Sequence, residues 1–384
     1  MPQPDQEDFF DTLHEWSERK LKLLKNYVEA ADKILGSINQ IYYVDGFAGR
    51  GTYRDGGIGS PIRIAELAQQ YEREGKSYSF KCINVEENAE YFANLQKETA
   101  KFGSLVQNLH GRFADNLDQI LRVIGNQPAI FFLDPFGIKG IDWSAVRKII
   151  NRKAKTDLWI RFDHIELRRL DGNYEVNDKK FDILPTVFGI QNEEYLHSLL
   201  ASGITPEERI RACMELYRDQ LEQEFRKAKG TGYADAYAIK SLTGQVKYYL
   251  IFATAHEKGI VLASSIVYGV EENYQRELQE YRELQEEGKL QAEQLYLFVE
   301  EEPTPEKIFQ EKVTQLKNDI WRKCKGQNLT RINIHARILD TWFGRIKATH
   351  MTQALKTLKD EGFILSVNGN ISDEKTIFKF KASD

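Results

Sequence analysis

Apolar residues in the first part of this chain fall into two alternating rhythms. Leu13, Trp16, Leu21, Leu24, Tyr27, Val28 and Ile34 recur near helical spacing and predict a long amphipathic helix over residues 7–36. Short uninterrupted apolar runs then predict strands at 41–45, 78–85, 105–109, 129–133 and 157–162. Runs this short and this apolar suit strands buried on both faces, the signature of a parallel sheet. Helices are predicted between them, from Ser60-Pro61 onward, over 88–102, around 116–124 and over 143–152. Ser60 is expected to cap the first of these, with Pro61 at a position that needs no donor. Five strands alternating with helices specify a doubly wound Rossmann-like α/β sheet. Residues 163–230 read as mostly helical and break the alternation, as a substrate-side insertion would. Two β-rich runs, 233–241 and 246–255, flank Leu242-Thr243-Gly244-Gln245 and predict an antiparallel hairpin.

The rhythm changes again downstream. Residues 271–302 are dense in Glu and Gln, with Tyr274, Leu278, Tyr281 and Leu284 at intervals of three and four. They read as a charged helical connector, solvated, docked by one stripe or self-paired, ending in a Pro-containing linker. Helices are predicted at 306–325, 334–342 and 349–359, and strands at 363–367 and 376–381 around Asn368-Gly369-Asn370. Three helices followed by a hairpin resemble a winged helix-turn-helix. Its third helix would offer His350, Thr352, Gln353 and Lys356 to a nucleic acid, and the wing would add Lys375 and Lys379. The chain thus divides into residues 1–270, a connector over 271–303, and a small domain over 304–384.

Composition narrows the class. With 29% charged and 41% hydrophobic residues the chain is globular. No apolar stretch approaches the length of a membrane span, and the polar, acidic first residues are unlike a signal peptide. Cys82, Cys213 and Cys324 are far apart, and the seven His are scattered, so neither a metal site nor a disulfide framework is expected. A reducing cytoplasm fits this usage. The net charge of −5 hides an asymmetry: residues 304–384 hold 15 Lys and Arg against 9 Asp and Glu. A basic tail on an acidic body hints at a polyanionic partner.

Candidate chemistry sits at the ends of the expected strands, where open α/β sheets bind ligands. Asp45-Gly46-Phe47-Ala48-Gly49-Arg50-Gly51 follows the first strand. Its glycines allow close approach of backbone to a ligand and positive φ, although a tight structural turn would use them equally. The Gly-x-Gly-x-x-Gly dinucleotide fingerprint is absent. Glu86 ends the second strand, placed to accept ribose hydroxyls or to favour the next helix dipole. Asp115 follows the third strand, as a receiver of an adenine amino group or as an N-cap. Asp134-Pro135-Phe136-Gly137 follows the fourth. A carboxylate and a carbonyl accepting both protons of an exocyclic amine would aim its lone pair, while an aromatic ring stacks on the base. An ordinary Asp-Pro turn is the alternative. Arg161, Asp163, His164, Arg168 and Arg169 cluster beyond the fifth strand, as a polyanion site or a solvated face; His256 reads as a cap.

The first turn resembles the Asp-x-Phe-x-Gly-x-Gly turn of S-adenosylmethionine (SAM)-dependent class I methyltransferases, whose last strand is likewise antiparallel. In that pattern Asp45, Phe47, Gly49 and Gly51 would wrap the methionine part of SAM, with Glu86 and Asp115 on its adenosine. The second turn resembles the amine-methylating Asp-Pro-Pro-aromatic turn less one residue, and the Asp-Pro-Phe-Gly of tRNA guanine-N2 dimethyltransferases. That departure leaves the target atom open. Trp16, Lys20 and Tyr27, Tyr43-Val44-Asp45-Gly46-Phe47-Ala48-Gly49, Gly59-Ser60-Pro61, the Asp134 turn and Tyr248-Tyr249-Leu250-Ile251-Phe252-Ala253-Thr254-Ala255-His256 together resemble the three-Cys-motif partner family, TcmP. The resemblance implies a methyltransferase-like fold and a radical-SAM-type protein with a three-cysteine motif as partner. Two functions stay open: methylation of a nucleic-acid base amine, with Asp134, Pro135 and Phe136 as the catalytic turn, or a non-catalytic adaptor that kept the fold.

Overall fold

A computed structural model describes residues 13–35, 40–76, 79–135, 137, 140–163, 184–189, 205–290 and 304–382. The chain forms two compact units, Met1–Gly259 and Ile260–Asp384. The boundary falls inside a helix rather than in the expected connector.

The first unit is built on a seven-stranded sheet. Helix α1 (Glu15–Leu35) leads into β1 (Gln40–Asp45), then α2 (Ser60–Arg73), β2 (Ser79–Glu86) and α3 (Ala89–Thr99). Next come β3 (Val106–His110), α4 (Phe113–Ile124), β4 (Ala129–Leu133), α5 (Trp143–Ile150) and β5 (Thr156–Phe162). A short α6 (Leu184–Phe188), a long α7 (Pro206–Lys229) and the hairpin β6 (Tyr233–Lys240) and β7 (Val246–Thr254) complete it. The strand order is β3-β2-β1-β4-β5-β7-β6. The first five strands are parallel, and β7 runs antiparallel to both β5 and β6. This mostly parallel, mixed α/β arrangement is a Rossmann-like sheet.

Every residue of β4 and β5 is buried, as their apolar runs require of central strands covered on both sides. On one face Val44, Val85, Phe131, Leu133 and Ile160 pack with Leu117, Val146, Tyr217 and Phe225 of α4, α5 and α7. On the other, Tyr27 of α1 meets Trp159 and Phe252 at ring distances of 5.4 and 5.0 Å. Its hydroxyl donates to the buried Asp157 carboxylate at 2.8 Å, and Thr254 donates to the other oxygen at 2.7 Å. Because α7 contributes Tyr217, Leu221 and Phe225 to this core, residues 206–229 form a layer of the fold itself and not a substrate-side insertion. A capping box at Thr205 starts α7, and Gly230, at φ +82°, ends it.

Two local expectations fail on hydrogen bonds. Ser60 makes no cap for α2; Gly59 is the N-cap, and the Ser60 hydroxyl donates to Asp45 instead. Asn88 caps α3 with its side chain, so that helix begins one residue later, at Ala89, and it ends earlier, at Thr99, than its apolar pattern implied.

In the second unit α8 runs unbroken from Glu257 to Leu290, so the charged residues after 271 extend a helix begun before them. Tyr274 and Leu278 are buried, while Leu284 is 67% exposed. Then follow α9 (Pro305–Cys324), β8 (Asn328–Thr330), α10 (Arg331–Trp342), α11 (Ala348–Asp360), β9 (Ile364–Asn368) and β10 (Ile377–Phe380). The strands form a small antiparallel sheet in the order β8-β10-β9. Three residues of β8 are too few to show a period, which is why the sequence pattern missed them. Leu316, Ile338, Met351, Leu355 and Phe378 centre this unit's core.

Packing at the end of β1 leaves no room beside Gly46, where an added Cβ would lie 2.7 Å from Leu133 and 2.9 Å from Phe113. Gly46→Ala is expected to destabilise the first unit by about 1–3 kcal/mol through overpacking. Gly269→Ala, mid-helix with nothing within 4 Å, is expected to stabilise its own unit by roughly 0.5–1 kcal/mol. Thermal denaturation of both variants checks the contrast in sign.

Candidate active site at the carboxyl edge of the sheet

The turn after β1 is an ordered loop. Gly49 and Gly51 take φ of +63° and +81°, values open to glycine without steric cost. Gly59 N–H donates to the Gly51 carbonyl at 2.8 Å, and Thr52 and Ile58 form a bridge, so residues 51–59 fold back on themselves. Asp45 is fully buried beneath the turn, accepting the Phe47 N–H at 3.2 Å and the Ser60 hydroxyl at 2.6 Å. Burial pushes its carboxyl up to about 7, against those two hydrogen bonds.

Glu86 ties this turn to the next. One carboxylate oxygen accepts the Gly49 N–H at 2.8 Å and the other the Asn88 N–H at 2.7 Å. Its pKa is raised, with burial outweighing both bonds. Gly46, Phe47, Gly49, Glu86, Tyr91 and Phe113 are among the walls of a cleft of about 350 Å³. Asp115 is not among the lining residues: α4 starts three residues earlier than expected, and Asp115 sits exposed in its first turn, neither N-cap nor cleft residue.

A second cavity, about 40 Å³, lies across the turn. Lys20, Gly51, Tyr53, Ser60 and Asp134 help line it, and it shares Phe47 and Gly49 with the larger cleft. Here the structure adds what sequence reading did not use. The Lys20 side chain, 5% exposed, forms an ion pair with Asp134, whose other oxygen lies 3.3 Å from the Arg161 guanidinium. Arg161 also reaches Asp163 at 2.9 Å and stacks 4.5 Å from the Tyr248 ring. Lys20 lies 5.7 Å from the Phe132 ring and 5.9 Å from that of Tyr248. Burial alone would raise the Asp134 carboxyl; Lys20 and Arg161 outweigh it and hold it below the ordinary value. Arg161 thus belongs to a buried ionic cluster, neither a polyanion groove nor a solvated face. A signal for Lys20 was present: Trp16, Lys20, Leu24 and Tyr27 follow one helical line, and a lysine on an apolar stripe needs a buried partner.

Pro135 is buried beside a small cavity bounded by Ile160, Arg161, Asp163 and Tyr217. Phe136, His164, Arg168 and Arg169 lie outside the described residues. Chemically, Asp134 is a weak base whose two oxygens are both engaged, one by Lys20 and the other by Arg161. Among the described residues no group of His, Cys, Asp and Glu could hold a metal ion, and no helix is long and apolar enough to cross a membrane. The three cysteines are buried thiols.

The second unit reassigns part of its expected surface. His350 is 2% exposed; its Nδ1 accepts the Lys347 N–H at 3.1 Å, and its ring lies 4.5 Å from Phe309. Burial pushes its pKa down to about 4, so it carries no charge, and its ring is withdrawn from the surface. The Thr352 hydroxyl donates to Ala348 and accepts from the buried Arg331. Gln353, Lys356, Lys375 and Lys379 are exposed.

No protein-family model and no curated protein matches the chain. Similar solved structures include an O-methyltransferase from Bacillus cereus in complex with SAH, at 14% identity over 67% of this chain and 93% of that one, TM-score 0.35. A cofactor-bound Rv0187 from MTB is similar at 11% identity over 65% and 85%, TM-score 0.34. The O-methyltransferase TomG from Streptomyces achromogenes in complex with SAM gives 11% over 62% and 79%, TM-score 0.31.

A carboxyl raised to about 7 keeps its proton in the folded chain where the unfolded chain, near 3.8, has lost it. Folding therefore takes up a proton between those values, and the contribution of Asp45 to stability falls as pH rises through that window. Urea midpoints of the wild type and Asp45→Asn, measured at pH 5 and pH 8, are expected to shift in favour of Asn at the higher pH. Parallel behaviour of the two would show that Asp45 titrates normally.

Proposed function

We propose that the first unit binds SAM and methylates an exocyclic amine of a nucleic-acid base. Glu86 carries the cofactor reading. It is a half-buried carboxylate at the carboxyl end of β2, fixed by the N–H groups of two turns, beside a cleft of about 350 Å³. A vicinal ribose diol suits such an acceptor, because each oxygen keeps a free lone pair and both are already aimed. The adenosine of SAM then lies along Glu86, Tyr91 and Phe113, and its methionine part crosses Phe47 and Gly49 toward Asp134. Asp134 and the Pro135 carbonyl receive the amine, with Phe136 as the stacking platform. No metal is required for this chemistry.

The second unit supports the nucleic-acid target. Its element order, with a three-stranded β8-β10-β9 sheet, suits a winged helix-turn-helix, and the 15 Lys and Arg against 9 Asp and Glu over residues 304–384 suit phosphates. Gln353 and Lys356 on α11, with Lys375 and Lys379 on the wing, form the contact set; His350 and Thr352 are committed to packing. The TcmP-like motifs support a radical-SAM-type three-Cys-motif protein as partner.

A second reading is favoured by one observation. Asp134 is already held by Lys20 and Arg161, as it would be in an adaptor that kept the fold and lost the reaction. Mass spectrometry of nucleosides from cells with and without the gene separates the two: a lost methylated base, restored by wild type but not by Asp134→Ala, is expected of the enzyme. An unchanged profile together with tight capture of the partner selects the adaptor.

Two binding measurements complete the test. Glu86→Ala is expected to weaken SAM by about tenfold to a hundredfold, since hydrogen bonds to a charged acceptor contribute roughly 1.5–3 kcal/mol. Unchanged affinity in calorimetry removes the assignment of the cleft. In the full chain, joint replacement of Lys356, Lys375 and Lys379 by Ala is expected to flatten the salt dependence of duplex binding by up to about 3 in log–log slope. A slope equal to that of wild type places nucleic acid elsewhere.

A further inference from the structure

Resting on the SAM reading above, we propose that Lys20 binds the α-carboxylate of the donor's amino-acid end, and that Asp134 competes for it. The ion pair between them is then a latch that donor binding opens. Three observations converge on this. The two cavities share Phe47 and Gly49, so a ligand whose ribose is on Glu86 can extend across that turn into the space beside Lys20. That space, about 40 Å³, is little more than one water's share of liquid volume, about 30 Å³, and cannot take an amino-acid moiety as it stands. Lys20 and Asp134, joined as an ion pair, are among its walls.

Charge decides what can open it. Lys20 is a flexible ammonium on α1, held to Asp134 by that ion pair and flanked by the rings of Phe132 and Tyr248. An incoming carboxylate replaces one anion by another at a desolvated cation, so the exchange leaves no charge buried alone. Asp134 keeps Arg161 as counter-ion after Lys20 leaves, and gains the open lone pairs that an amine donor needs. An adenosine thioether without the amino-acid end has nothing to offer Lys20 and leaves the latch closed. The consequence is order: the acid at the acceptor site becomes available only after the donor has seated.

Two probes isolate this, S-adenosylhomocysteine and 5′-methylthioadenosine, which share the adenosine and differ in the amino-acid end. Calorimetry on the full chain is expected to show Lys20→Met weakening S-adenosylhomocysteine by about tenfold or more, the scale of one charge-assisted hydrogen bond. Methylthioadenosine is expected to stay within about twofold, as its contacts omit Lys20. Asp134→Asn, which releases Lys20, is expected to tighten S-adenosylhomocysteine severalfold, to leave methylthioadenosine unchanged, and to lose that gain in the Lys20→Met background. Equal loss for both probes in Lys20→Met, or no gain in Asp134→Asn, overturns the latch. Should Lys20→Met fail to fold, Asp134→Asn with the two probes decides alone. A wild type that binds methylthioadenosine but not S-adenosylhomocysteine overturns the latch and keeps the adenosine cleft; binding of neither removes the SAM reading itself.

Discussion

Two cations and two carboxylates buried together at the carboxyl edge of β4 and β5 constrain everything around them. Each charge loses several kcal/mol of hydration on burial, and only close, hydrogen-bonded opposite partners offset that loss. Lys20, Asp134, Arg161 and Asp163 meet the requirement as a chain of contacts with no excess charge. The cluster therefore joins α1 to the carboxyl ends of two central strands. It also explains why the aromatic residues Phe132 and Tyr248 line the same spot: their ring faces stabilise the cations from the side the carboxylates leave open.

The β1–β2 side of the edge works on a different principle. There the anions are held mostly by backbone N–H groups and a hydroxyl, Glu86 by Gly49 and Asn88, Asp45 by Phe47 and Ser60. Neutral donors fix direction without cancelling charge, so burial raises both carboxyls where ion pairing lowers Asp134. One strand edge thus carries acids of opposite tendency within a few residues of one turn.

The second unit shows the cost of reading a surface from a helix pattern. His350 and Thr352 are polar residues that a recognition helix could display, yet His350 accepts the Lys347 N–H at the start of its own helix and Thr352 receives Arg331 from α10. The exposed set left over is smaller and more uniformly basic, as a phosphate-contacting surface needs.

What the sequence by itself determined was the local part: strand positions in the first unit, the acidic residues that end them, the hairpin, and the last three helices and closing strand pair of the second unit, β8 excepted. Burial on both faces writes itself as uninterrupted apolar runs, so β4 was legible to the residue at 129–133. The Asp-Pro and Asp-Gly turns were legible because they interrupt those runs at a ligand-binding edge. Only the tertiary structure decided the pairings. Lys20 lies 114 residues from Asp134, and nothing local couples them; the strand order and the docking of α1 bring them together. The same holds for α7, whose sequence reads as an inserted helix until the sheet it covers is in place, and for Ser60, drawn from its helix end to a buried carboxylate. Periodicity reports which side of an element faces the core; which charge waits there depends on every other element.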